Sequence, residues 1–172
     1  MNIFILDYCP KKSASMMCDK HIPKMCVESA QMMASALIRN GCPESLMPVT
    51  KQGTKYKGGY KNHPCTIWAG DTLENYIWLC RHARQLCREF FDRFDKTHAC
   101  YEPIMVMDNL SSYIQRGKLT PFAQAMPDEF KSDDAVASYR HYYRKEKTFA
   151  SWERCKNGVP FWWDDPKLIP TK

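Results

Sequence analysis

The stretch Asp71-Thr72-Leu73-Glu74-Asn75-Tyr76-Ile77-Trp78-Leu79-Cys80-Arg81-His82-Ala83-Arg84-Gln85-Leu86-Cys87-Arg88-Glu89-Phe90-Phe91-Asp92-Arg93-Phe94-Asp95 decides the fold. Leu73, Tyr76, Ile77, Cys80, Ala83, Leu86, Cys87, Phe90 and Phe91 recur three and four residues apart, the spacing of one apolar helix face. Gly70 precedes the stretch, and Asp71-x-x-Glu74 reads as a capping box at its start. Arg81, Arg84, Arg88 and Arg93 read as solubilising charges on its outside. Such a stripe needs a partner, and the nearest match is a second helix from about Asp19 or His21 to Asn40. There Met25, Met32, Met33, Ala36 and Leu37 form the apolar side and Gly41 suits the C-terminal stop. The two helices packed on each other predict a mainly α-helical, single compact domain over 1–172.

The remaining segments fit around that pair. Residues 2–8 read as a short extended segment packed into the core, and 13–20 as a turn or two of helix. Cys42 to Lys61 is a long loop, and Pro64 sits in the first turn of a short helix capped by Asn62 or His63. Further helices are predicted over about 102–116, and from Ser132-Asp133-Asp134 to about Cys155. The aromatic C-terminal tail, Pro160-Phe161-Trp162-Trp163, carries too many rings to stay undocked.

Composition narrows the class. At 44% hydrophobic, 13% aromatic and 26% charged, the 172 residues have the make-up of a globular protein and are too apolar for a disordered chain. No apolar run approaches a membrane span and no secretory leader precedes Ile3, so a cytoplasmic protein with no membrane partner is expected. Nine cysteines without a C-x-x-C pair argue against a disulfide framework, and Cys18, His21, His63 and Cys65 do not have zinc-finger spacing. No metal and no cofactor are expected. The net charge of +6 favours a polyanionic partner.

Chemistry concentrates in Cys18-Asp19-Lys20-His21-Ile22-Pro23-Lys24-Met25-Cys26-Val27-Glu28-Ser29-Ala30-Gln31. At helical spacing His21, Lys24, Glu28 and Gln31 share one face, placing an imidazole, a cation, a carboxylate and an amide in a row. Asp19 and Lys20 stand at its entrance. The loop Lys51-Gln52-Gly53-Thr54-Lys55-Tyr56-Lys57-Gly58-Gly59-Tyr60-Lys61 combines lysines for phosphates, glycines for close backbone approach, and tyrosines for stacking. Lys55, Tyr56, Lys57, Lys61 and Asn62 are its candidate DNA contacts. A second basic and aromatic series, Tyr139-Arg140-His141-Tyr142-Tyr143-Arg144-Lys145-Glu146-Lys147, adds Arg140, Tyr143, Arg144 and Lys147.

Asp19-x-His21-x6-Glu28 resembles the N-terminal helix of the endonuclease V type of pyrimidine-dimer DNA glycosylase, where an Asp-Gln-His turn precedes a catalytic glutamate at this spacing. Tyr60-Lys61-Asn62-His63-Pro64 is similar to the Tyr-Arg-Asn-His-Pro element of bacterial relatives of that enzyme. The chain as a whole also resembles a group of small tailed-phage proteins sharing Cys-Asp-Lys-His, Lys-Asn-His-Pro, Pro-Phe-x-Gln-x-Met-Pro and Tyr-Arg-x-Tyr-Tyr elements. The resemblance implies a helical enzyme acting, in an infected bacterial cell, on double-stranded DNA with a damaged or modified pyrimidine. It implies Glu28 as the acid/base carboxylate and His63 as a substrate-facing histidine, with His21 and Lys24 beside Glu28. In the family the nucleophilic amine is an N-terminus exposed after methionine removal. Here Asn2 is large enough for Met1 to stay, which leaves the amine open between Met1, Lys24 and Lys20, or no lyase step at all.

Three functions use these residues differently. A glycosylase cleaves the N-glycosidic bond of a flipped pyrimidine. A transferase joins an amino acid or amine to an activated 5-methyl pyrimidine during phage DNA hypermodification. A non-enzymatic nucleic-acid-binding or host-inhibiting protein needs the basic segments but not Glu28.

Overall fold

The computed structural model describes residues 1–164. Six helices follow in order: α1 (Pro10–Ser15), α2 (His21–Arg39), α3 (Pro64–Asp71), α4 (Leu73–Phe94), α5 (Tyr101–Asn109) and α6 (Ala135–Glu146). Among the described residues the only β-type pairing is an isolated bridge between Val49 and Lys55. The fold is mainly α. α4 packs along α2 and α1, while α3 closes over α2. Met25, Met32, Met33 and Leu37 of α2 and Tyr76, Ala83 and Leu86 of α4 are fully buried, so most of the two predicted stripes lies in the core, where Ile22 and Leu79 join them; Phe91, counted on the stripe, is instead 52% exposed. Among the described residues no helix is long and apolar enough to cross a membrane.

The N-terminal segment runs through this core instead of along its surface. Asn2, Ile3, Phe4, Ile5 and Leu6 are all buried. Without strand partners their backbone groups are met by side chains: Asn2 Oδ1 accepts from the Ile3 and Phe4 amides, and Ser13 Oγ accepts from Leu6 N and donates to Phe4 O. Phe4 is held at φ +54°, left-handed backbone that a bulky residue seldom adopts.

Several predicted boundaries move for identifiable reasons. α3 continues to Asp71, so the capping box does not form. Thr72 alone separates α3 from α4 and caps α4 by accepting from Asn75 N. Asp71 instead pairs with Arg39, and Glu74 accepts from Leu119 N. Gly70 is not a break but a close-approach point: a β-carbon there would lie 3.1 Å from Ala36 Cβ of α2. The first helix starts at Pro10, earlier than expected, and α6 ends at Glu146 instead of near Cys155. α5 ends at Asn109, followed by a 3-10 turn over Ser111–Tyr113. Beyond α6 the chain wraps back, burying Trp162 against Tyr143 and sending Trp152 Nε1 to Met16 O.

Arg93 corrects the reading of α4's charges. Its side chain is fully buried, donating to Glu89, Asp19, Ser15 O and Met17 O. It falls on the same face as His82, Leu86 and Glu89, and the carbonyls ending α1 require a donor there. Two carboxylates balance the buried guanidinium.

Candidate active site

α2 carries Glu28 to the point where the buried N-terminal segment begins. The carboxylate is 13% exposed; its Oε2 accepts the backbone N–H of Asn2 at 2.8 Å, and its Oε1 lies 3.6 Å from Lys24 Nζ. Lys24 itself is 64% exposed. Asn2 is fixed from its other end, donating from Nδ2 to Ala125 O at 2.7 Å. Tyr139 of α6 holds that stretch, donating to Ala123 O and accepting from Ala125 N. Glu28 is therefore positioned by two helices and a threaded strand of backbone.

His63 reaches the same corner from α3. As N-cap its Nδ1 accepts Cys65 N at 3.2 Å, which puts the proton of the neutral ring on Nε2. Burial holds its pKa below the usual histidine value; the Met1 ammonium pushes the same way and the Glu28 carboxylate opposes. The ring thus sits within electrostatic reach of both. Behind it, the Cys65 thiol lies 4.0 Å from Asn2 Oδ1 and 3.8 Å from Tyr139 Oη, its pKa raised by burial to about 11. Thr66 Oγ1 donates to Met1 Sδ at 3.4 Å.

The polar row continues along α2 to the loop. Ser35 Oγ donates to Gly59 O and accepts from Gly59 N, clipping the loop to the helix. Gly58, at φ +71°, passes so close that a β-carbon would lie 2.7 Å from Ser35 N. A β-carbon on Gly59 would stand 3.6 Å from Gln31 Cδ, so Gln31 forms part of this wall. Lys57, Lys61 and Asn62, with Arg39 and Thr66, line a cleft of about 350 Å³ next to it.

Other expected site residues are engaged elsewhere. His21 is buried, stacked on Phe4 at 4.9 Å and bonded through Nδ1 to Tyr143 Oη at 2.7 Å; burial above all, then Lys147, Lys24 and Lys20, push its pKa down to about 4. Tyr143 is fully buried and also donates to Cys18 Sγ. Asp19 is taken up by Arg93 and by Arg154 N. Lys55 Nζ donates to Ser45 O and Met47 O, and Tyr56 points inward to Cys100 Sγ, so these two hold the loop together instead of presenting phosphate and stacking contacts. Arg140 binds Leu6 O and faces Asp7, with Phe161 and Trp162 over its guanidinium. Arg144 is half-buried. Lys20 and Lys147 rim the His21 cluster, above the Phe149 ring at 4.4 Å and the Tyr142 ring at 4.7 Å.

Asn2, Cys65 and Tyr139 were not readable as parts of the site from spacing. The usable signal was Asn2 itself, a polar residue opening an otherwise apolar run, which must find partners once buried. Among the described residues no group of three or more His, Cys, Asp or Glu is placed to hold a metal ion.

Fold and corner together define a small helical protein with a partly buried carboxylate, a neutral histidine and an ammonium beside a basic cleft. The profile of the pyrimidine dimer DNA glycosylase family matches residues 1–102, and the chain belongs to that family. The matched part contains Glu28 and His63, while the supporting Tyr139 lies beyond it. No curated protein and no solved structure matches the chain.

Proposed function

We propose that the protein cleaves the N-glycosidic bond of a damaged pyrimidine in duplex DNA, using Glu28 and the N-terminal amine. The observation carrying this reading is the 2.8 Å contact between Glu28 Oε2 and the nitrogen of residue 2, with the Met1 ammonium close enough to act on His63. In its neutral form the amine attacks C1′ of the deoxyribose; the C1′–N bond to enzyme forms as the C1′–N bond to base breaks. The departing base leaves C1′ with the bonding pair and takes up the proton that the attacking nitrogen gives up. Glu28 stabilises the positive charge that develops on the sugar, and its hydrogen bond to Asn2 keeps it oriented. The sugar ring then opens to a Schiff base, from which loss of the C2′ proton and breakage of the C3′–O bond would nick the strand. His63, with a proton on Nε2, is a donor to substrate on the facing wall.

The surroundings suit a phosphate backbone. Lys20, the residue preceding α2, and Lys24 on it stand before Glu28, and Lys57 and Lys61 lie beyond it near Ser35. From Lys20 to Ser35 the row extends about 22 Å at the helical rise per residue. Cations at both ends with a carboxylate between them fit a strand laid along α2, its target nucleotide extruded at the middle.

The test is strand nicking, together with base release scored after photoreversal of the dimer, on duplexes containing a pyrimidine dimer, beside undamaged controls. Wild type should release base from the damaged duplex alone, and Glu28→Gln should lose turnover by about 10²–10⁴-fold while binding persists. Base release undiminished by Glu28→Gln would contradict the proposal. A mass gain on the base, without release, would point to amine transfer instead.

A further inference from the structure

A second basic cleft lies away from this corner, with a volume of about 640 Å³. Lys11 of α1 and Arg81, Arg84 and Arg88 of α4 line it together with the rings of Phe91 and Tyr101. No carboxylate lines it. Asp108 pairs with Arg84 at 3.1 Å and Asp92 approaches Arg88 to 3.9 Å, leaving these guanidinium side chains 52% and 75% exposed. Among the described residues no hydrogen bond or ion pair engages Lys11 or Arg81. Phe91 is 52% exposed and Tyr101 38%, much apolar surface to leave wet beside so much charge.

The cleft is separate from the Glu28 corner. Its Cys87 meets Cys26 of α2 at 3.8 Å. Glu28 follows Cys26 by two residues, about 200° around the helix, and so faces away from α4. A nucleotide held at Glu28 cannot at once occupy the Arg81–Phe91 face. Positions 81, 84, 88 and 91 run along α4 for about 15 Å, placing three cations and a ring in one line. Aligned guanidinium groups for phosphates, with exposed rings beside them, match the requirements of an unpaired polynucleotide, whose bases are free to stack. A duplex keeps its bases stacked internally and has no use for the rings.

We propose that this α1–α4 cleft is a second nucleic-acid site that takes an unpaired DNA strand, independent of the catalytic reading of Glu28. It would hold single-stranded DNA while the lesion corner works on duplex.

The test is fluorescence anisotropy with a labelled single-stranded oligonucleotide of about 12 nucleotides and a blunt undamaged duplex of equal length. Phe91→Ala leaves the charge unchanged, and its exposed position makes misfolding readily checked by thermal melting. It should weaken single-strand binding about tenfold and leave duplex binding unaltered. Arg81→Ala with Arg88→Ala should weaken the single strand further and reduce the slope of log K against log salt by about 1.4. Turnover of a short dimer-containing duplex should be unchanged in both variants. Single-strand affinity unaffected by either variant would overturn the proposal. So would a loss equal for single strand and duplex, which would mark the cleft as unspecific surface charge.

Discussion

Two histidines open helices in this molecule, and their fates differ. His21 begins α2 and His63 precedes Pro64 of α3. His21 is enclosed by Phe4, Tyr143 and Phe149, while His63 remains half-exposed beside Met1 and Glu28. Both are held neutral, chiefly by burial. The difference lies in what their nitrogens meet: His21 Nδ1 is bonded to a buried tyrosine, whereas His63 spends Nδ1 on its own helix cap. A motif placing both near a catalytic glutamate does not distinguish a packing histidine from a substrate-facing one. Of the aromatic residues that decide it, Tyr143 arrives from α6 and Phe149 from just beyond it, more than a hundred residues later.

The largest expected effect separates them by stability. His21→Ala should destabilise the fold by about 3 kcal/mol, since it empties a fully packed aromatic site and removes the 2.7 Å hydrogen bond to Tyr143 Oη. The same ring makes the protein acid-sensitive. Its folded pKa of about 4 lies below the ordinary 6.5, so the unfolded chain binds the proton more readily. Stability is therefore full above pH 6.5 and falls as pH drops from 6.5 through about 4, by about 3 kcal/mol in total. His82, fully buried with no partner on either ring nitrogen among the described residues and pushed down to about 3, adds to the loss at the acid end. Urea unfolding across this range should show a shallower pH dependence in His21→Ala than in wild type.

His63→Ala should do the reverse. Losing a half-exposed cap costs about 1 kcal/mol, but base release should fall by about 100-fold. Equal stability losses in the two alanine variants, with equal residual activity, would erase the distinction drawn between them.

A smaller effect tests the wall facing Gln31. Gly58→Ala meets Ser35 and must hold a positive φ, so the loop should lift from α2 at a cost of about 1–2 kcal/mol. Affinity for damaged duplex should decline because Lys57 and Lys61 move with the loop. An unaltered affinity would show that the clip to Ser35 has no part in substrate binding.

Periodicity made the helical core legible, because the stripes of α2 and α4 report burial directly. It misjudged Arg93, which reads as an outside charge but is buried, and Phe91, which reads as core but is exposed, and it gave α6 about nine residues too many. The site was legible where backbone chemistry fixes it: His63 before Pro64 is a cap in sequence and in structure. It was illegible where distant segments meet. Nothing local says that Lys55 will be spent on carbonyls, that Tyr56 will turn inward, or that residue 2 will thread behind Glu28.

The most direct measurement follows from that last contact. Incubating the protein with an abasic duplex and borohydride, then mapping the adduct by peptide mass spectrometry, identifies the amine that attacks. A reduced adduct on the α-amine of the N-terminal peptide, with Met1 retained and lysines unmodified, is the predicted result. An adduct on Lys20 or Lys24, or none from a protein that still releases base, would contradict the pairing of Glu28 with the chain's own amino terminus.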